Sequence, residues 1–378
     1  MDEPKELGWT IICPDCGKRD QLGLFNWRCD CGGAWEFAGL PVFDADKIER
    51  SEHSLWRYAA TWPTIPHEHS LGFGRTPLTS EVFFEIPVYL KSEYVSPTGS
   101  YKDRGSEVMV SFVAAQGTKE VVEDSSGNAG ASIAGYAAKA GLKAHIFVPS
   151  IASPAKLAQI KAYGAQIHTV EGPRVNAKNA AVDFVNAGHV FASHAYHPAF
   201  LLGLTTLAFE IWEQLGNRAP DVMILPVGQG VHFLGAWHGF RRLYEARLIS
   251  RVPRMIGVQP SLLNPIKRAL DGGLDYVPAM EPGEKSLAEG LAITHPVRGK
   301  RILQAIRETG GTMIDVTEDE IRSAHKALAG RGYYVEPSSA TAVAALAHLR
   351  GEIRAGETVV MPLTGSGLKS PLIDPDTK

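Results

Sequence analysis

The sequence predicts an α/β protein, with parallel sheets flanked by helices and a small cysteine ribbon in front of them. Three observations carry this. From about residue 80 onward, strand-like apolar runs alternate with helical patterns, which implies parallel sheets covered on both faces. All four cysteines of the 378-residue chain fall between residues 13 and 31. The composition, 44% hydrophobic and 21% charged, is enough to fill a core in each of several parts.

The charge balance removes other classes. With 38 Lys+Arg against 41 Asp+Glu the net charge is -3, which gives no electrostatic footprint for nucleic acid or an anionic membrane. The first residues, MDEPKELGW, are acidic and lack the apolar core of a secretory leader. No apolar run approaches the ~18 residues of a membrane span. The expectation is a soluble, cytoplasmic enzyme that binds neither nucleic acid nor membrane.

The ribbon comes first, over residues 1–40. Its spacing is Cys13-x2-Cys16 and then Cys29-x-Cys31, with Gly17 after the first pair and Gly32-Gly33 after the second. Small residues let backbone amides turn toward thiolates, the arrangement of a zinc ribbon with four sulfur ligands. The alternative is a pair of cysteine-bearing turns without metal. Residues 1–50 hold six Lys/Arg against ten Asp/Glu, so a structural staple is expected here and not a nucleic-acid module. Residues 41–86, with Pro41, Pro63 and Pro66 among Trp56, Tyr58 and Trp62, read as a connecting segment.

Strands are expected at 87–91, 144–149, 165–170, 190–193, 221–226, 255–259, 312–316 and 358–363. Each is a short β-branched or apolar run bounded by breakers. The alanine-rich stretch 129–141 reads as a helix stopped at Gly141. Thr317-Glu318-Asp319-Glu320 reads as a capping box that opens the next helix.

Ligands of open α/β sheets gather in the loops that follow strands. Four such loops stand out. Ser96–Gly105 puts Lys102 in a Gly/Ser-rich turn at a helix start, where the partial positive charge disfavours an ammonium and favours the neutral amine of a Schiff-base lysine. Asp124–Gly130 offers free amides at a helix start, with Asn128 as a side-chain donor. Pro226–His232 is a glycine loop of phosphate-cradle type. Pro362–Lys369 places Thr364 and Ser366 between glycines. Each loop alone has a plain reading: a solvated lysine, an N-cap, a turn. Together they supply what pyridoxal 5'-phosphate needs.

These residues resemble the fold-type II pyridoxal-phosphate enzymes, the tryptophan synthase beta family, over roughly residues 70–372. The resemblance implies two open, twisted, mostly parallel sheets. Residues 87–210 would mix the two domains and include the smaller, substrate-side one, and 211–378 would complete the larger cofactor domain. It implies Lys102 as the cofactor lysine. Asn128 would sit at the cofactor's 3'-hydroxyl, Gly228, Gln229, Gly230, Val231 and His232 at its phosphate, and Thr364 at its pyridine nitrogen. Ser125, Ser126, Gly127, Asn128 and Ala129 would hold the substrate carboxylate. The segment Glu336–Ala340 is similar to one that packs beside the cofactor. Arg104 is implied either at a substrate phosphate or in structural pairing.

Within the family the likeness is to the threonine synthase branch, some members of which begin with a C-x2-C and C-x-C-G-G ribbon. Cys13, Cys16, Cys29 and Cys31 fit that form and imply a structural zinc ion. A homodimer and an amino-acid substrate are implied as well. Three places depart from the branch. Gly228-Gln-Gly-Val-His232 stands where G-N-x-G-[ND] is usual, Gly290–Pro296 where I-G-N-P is usual, and Leu202–Thr206 in place of an E-G-x-x-T pattern. The missing asparagines belong near the substrate's phosphate. Two further readings therefore stand beside threonine synthesis. One is a β-eliminating lyase or β-replacing synthase acting on serine, threonine or a related amino acid. The other is a ribbon-bearing binding protein with an inactive body, against which the intact Lys102 and Asn128 argue. Of the histidines, His194, His197, His232 and His295 are candidates for acid-base work, most of them expected to be structural.

Overall fold

The computed structural model describes residues 8–152, 154–281 and 283–370. Residues 1–7, read above for a leader, and 371–378, the end of the C-terminal part, lie outside the described residues. The chain divides into two compact units, Met1–Arg75 with Lys102–Leu204, and Thr76–Tyr101 with Thr205–Lys378.

The first unit opens with the ribbon, an antiparallel sheet of β1 (Thr10–Ile12), β2 (Arg19–Gln21) and β3 (Glu36–Phe37) in the order β2-β1-β3. Two tryptophans anchor it. Trp9 packs on Phe112 and Trp27 on Phe191 and Tyr196, each with ring centroids 5.0 Å apart. The rest of the unit is a parallel sheet, β6 (Glu120–Glu123), β7 (Lys143–Pro149) and β8 (Gln166–Val170). It carries helices α1 (Lys102–Ala115), α2 (Asn128–Lys139), α3 (Pro154–Ala162), α4 (Arg174–Asn186) and α5 (Pro198–Leu204). The inner residues of α2 are Ala, Gly and Ser with Ile133 and Tyr136, so its backbone can lie close to β6, β7 and α1.

The second unit holds a six-stranded sheet in the order β11-β10-β9-β12-β5-β4. Its strands are β4 (Leu78–Phe83), β5 (Ile86–Lys91), β9 (Val222–Pro226), β10 (Arg254–Pro260), β11 (Thr312–Val316) and β12 (Val359–Pro362). All pairings are parallel except β4 with β5. Strands β9 and β12 are buried at every residue, as expected for strands covered on both faces. The helices are α6 (Thr206–Gln214), α7 (Val231–Glu245), α8 (Pro265–Asp271), α9 (Gly299–Thr309), α10 (Glu318–Ala329) and α11 (Pro337–Ala344). Leu90, Ile224, Val258, Val359 and Met361 pack with Ala340, Val343 and Leu346 in the core. The capping box of α10 is present, with Thr317 and Glu320 bonded reciprocally.

Three expectations about strands change. Residues 190–193 form no strand; Phe191 makes a single parallel bridge to Val122 before the chain turns away. Strands β4 and β6 lie outside the expected set. β4 is a partly exposed edge strand, and the four-residue β6 is too short for a period to show. No helix among the described residues is long and apolar enough to cross a membrane.

Candidate active site

In the second unit, three neighbouring parallel strands, β5, β12 and β9, each end in one of the predicted loops. These loops are laced by backbone bonds. The Tyr101 amide donates to the Thr364 carbonyl at 3.0 Å, the Ser366 amide to the Gly99 carbonyl at 2.9 Å, and Ser100 bridges Gly365.

Ser339, from the segment read as cofactor-side, organises that loop. Its hydroxyl oxygen accepts from the amides of Thr364 (2.9 Å) and Gly365 (3.1 Å) and lies 2.9 Å from Thr364 Oγ1. The Ser339 hydroxyl also donates to the Gly365 carbonyl at 3.4 Å, so it holds both residues of the loop.

The glycine loop runs into α7 through Gly230, the N-cap, whose φ of 77° lies in the left-handed region that glycine enters at no steric cost. No side chain caps α7, so its first-turn amides are not taken by one. The Gln229 side chain accepts from the Val297 amide at 3.1 Å. His232 is buried, and its ring stacks on Tyr101 with centroids 4.0 Å apart.

In the first unit, Lys102 opens α1 and Asn128 opens α2, and the two helices pack together. Asp103 accepts from the Ser132 hydroxyl at 2.6 Å and ties them. α2 also has a glycine N-cap, Gly127, with no side-chain cap. The Gly127 amide donates to Ser125 Oγ at 3.3 Å. A Cβ on Gly130 would lie 1.9 Å from the Ser125 carbonyl oxygen, so only glycine lets α2 press against the loop. Ser125 to Ala129 therefore surround one uncapped helix start, which suits a carboxylate. Arg104 is fully buried, with its guanidinium 5.0 Å over the Phe73 ring.

Two residues at this end of the unit carry a pairing that the motifs do not reveal. Glu123, the last residue of β6, lies 2.6 Å from His194 Nδ1, and both are buried. In the ribbon, the cysteine sulfurs come within 4.8 Å of one another, with Cys13–Cys31 at 3.5 Å and Cys16–Cys29 at 3.6 Å. Four sulfurs ~2.3 Å from one zinc ion would stand ~3.8 Å apart, so the set fits tetrahedral coordination. The shorter C-x-C knuckle closes like the longer one: Gly32 donates to the Cys29 carbonyl as Gly17 does to Cys13, each at 2.8 Å.

Pyridoxal phosphate demands an amine, a dianion cradle, a hydroxyl for the ring nitrogen and a carboxylate site for substrate. Lys102, the uncapped α7 start, Thr364 and the uncapped α2 start are groups of those kinds. The profile of the family described as pyridoxal-phosphate dependent enzyme matches residues 69–365. The chain belongs to that family. Pyridoxal phosphate is therefore its cofactor, and a small molecule its substrate. It is 33% identical to the threonine synthase of Methanocaldococcus jannaschii over 95% of this chain and 92% of that one. To the threonine synthase of Methanosarcina acetivorans it is 33% identical over 96% and 93%. Among solved structures it is similar to the T.th. threonine deaminase, with a TM-score of 0.67, 25% identity, and coverage of 78% of this chain and 92% of that one. The L-serine ammonia-lyase of Rhizomucor miehei, with a TM-score of 0.69, 23% identity, and coverage of 78% and 94%, shares the fold.

Proposed function

We propose that this protein is a threonine synthase that converts O-phosphohomoserine and water to threonine and phosphate. The observation that carries this reading is the likeness to named threonine synthases along nearly the whole chain, ribbon included. When bound, the cofactor supplies an electron sink for the substrate's α-carbon. Lys102 would hold the cofactor, and its free amine would take the substrate's α-proton. Asn128 would orient the cofactor ring, and the amides from Gly228 to His232 would hold its phosphate. Thr364, held by Ser339, would give the cofactor's ring nitrogen a neutral partner, which would weaken the sink and favour elimination over transamination. Ser125 to Ala129 bind the substrate carboxylate. The burial of Arg104 favours the pairing role over a substrate contact.

The test is to supply O-phosphohomoserine and measure phosphate and threonine, expected in equal amounts. The second reading, a lyase or β-replacing synthase acting on serine, threonine or a related amino acid, is favoured by one observation. Gln229 and His232, where the branch carries asparagines, are turned to Val297 and stacked on Tyr101. No turnover of O-phosphohomoserine, with keto acid and ammonia from serine or threonine, would reverse the order.

The reading also makes the protein a cytoplasmic homodimer; a single-chain mass by light scattering would remove the dimer. The ribbon binds one zinc ion through Cys13, Cys16, Cys29 and Cys31. Metal analysis is expected to find one zinc per chain in the purified protein and none in Cys16→Ser. Less than half an equivalent in the parent protein would sink the zinc assignment.

A further inference from the structure

Part of the connecting segment, residues 54–74, forms a strap whose ends meet. The Leu55 amide donates to the Phe73 carbonyl at 2.7 Å. A Cβ on Gly74 would stand 2.5 Å from the Leu55 nitrogen, so only glycine lets the ends close this tightly. Ser54 caps the short 3-10 helix Leu55–Thr61 by accepting from the Trp56 amide at 3.2 Å. Each arm of the strap sends one donor to the same atom of α1. Trp56 Nε1 donates to Glu107 Oε1 at 2.6 Å, and Ser70 Oγ donates to it at 2.5 Å. Glu107 is fully buried. A buried carboxyl without donors is costly, so Glu107 needs the strap as much as the strap needs it.

The strap grips one stripe of α1. Arg104 and Glu107 are three residues apart and so share a face of the helix. The Arg104 guanidinium lies 5.0 Å over the ring of Phe73, at one end of the strap, while Glu107 takes the two donors. Trp56 is held in turn by its stack on His67, with ring centroids 4.7 Å apart and planes 16° from parallel. A second hold comes from α2, whose Ser132 donates to Asp103 at 2.6 Å. α1 is thus tied at residues 103, 104 and 107, all within two turns of its start. These ties fall where they are needed, because helix ends fray and Lys102 is the first residue of α1.

We propose that Glu107 is a positioning residue for Lys102. Through its two bonds the strap fixes the first two turns of α1, and so the backbone from which the lysine extends. Glu107 acts only through α1 in this role. The inference rests on Lys102 being the cofactor-bearing lysine.

Trp56→Phe is the mildest test. It keeps a ring to stack on His67 and removes the indole donor. In the cofactor-free, full-length protein, amides of residues 102–107 should exchange about tenfold faster than in the parent, the weight of one buried hydrogen bond. In the holoprotein, the visible circular dichroism of the bound cofactor should weaken, because it reports how rigidly the lysine-held ring is fixed. That reading is independent of which amino acid is the substrate. For O-phosphohomoserine, kcat should fall by ~10–100-fold with KM little changed, the pattern of a misplaced reacting group. Glu107→Ala should have a larger effect of the same kind. Glu107→Gln keeps an acceptor oxygen for both donors and should behave as the parent. A merely structural bond would speed exchange and leave the dichroism unchanged. That result in Trp56→Phe overturns the proposal, whether or not Glu107→Ala folds, and so does exchange at the parent's rate. A borohydride label on a lysine other than Lys102 would instead overturn the assignment of Lys102, and the proposal with it.

Discussion

Lys102→Ala is expected to lower turnover by at least ~10³-fold, the upper part of the range for removing a general base. Alanine is the best helix former, and Lys102 opens α1, so the change does not disturb the helix. Asp103 and Arg104 next to it stay buried in their own contacts. The loss is therefore chemical. After borohydride reduction and digestion, the parent protein should show the cofactor's mass on the peptide with Lys102, and the variant should show it on none. Turnover within ~10-fold of the parent, or a label on a different lysine, would remove Lys102 from the mechanism. A secondary effect has a definite sign. Lys102 is one of the cations that hold the Glu123 carboxyl down against the effect of burial. Without it Glu123 should keep its proton to higher pH.

The four loops stand out in the sequence because each is a short local pattern. Helix starts that lack a Ser, Thr, Asp or Asn cap and carry glycine in its place leave amides for a ligand, and Gly127 and Gly230 show this in the sequence itself. Strands β9 and β12 were legible for the same reason, as unbroken apolar runs between breakers. What was hidden depends on distant pairing. Glu123 and His194 are 71 residues apart and meet through one β-bridge that no period announces. Ser339 and Thr364 are 25 apart; the motif Glu336–Ala340 placed the segment, but only the geometry shows its hydroxyl orienting Thr364. Strand β4 hides within the expected connector because an edge strand needs only one apolar face, and its Thr79, Ser80 and Glu81 mask even that. The stacking of His232 on Tyr101 likewise joins two loops whose sequences look independent.

Lys91→Ala is expected to destabilise the second unit by ~3–5 kcal/mol, the cost of stranding one member of a buried ion pair. Lys91 is fully buried at the end of β5, and its ammonium donates to Glu210 Oε2 at 2.7 Å, to the Thr76 carbonyl at 2.7 Å and to Gln214 Oε1 at 2.9 Å. Glu210, on α6, is 1% exposed, so without Lys91 its carboxylate has neither its ammonium partner nor water. The position matters for function as well. The Leu363 amide donates to the Lys91 carbonyl, which sets the Thr364 loop against the end of β5 just before the chain enters the lysine loop. Urea unfolding of the parent, Lys91→Ala, Lys91→Met and Lys91→Met with Glu210→Leu separates charge from packing. Both single variants should lose most of the stated stability. The double variant should recover the larger part of it, because two apolar side chains replace the pair without leaving a buried charge. A single variant within ~1 kcal/mol of the parent would mean that water reaches Glu210, and the pair would then be worth no more than one on the surface.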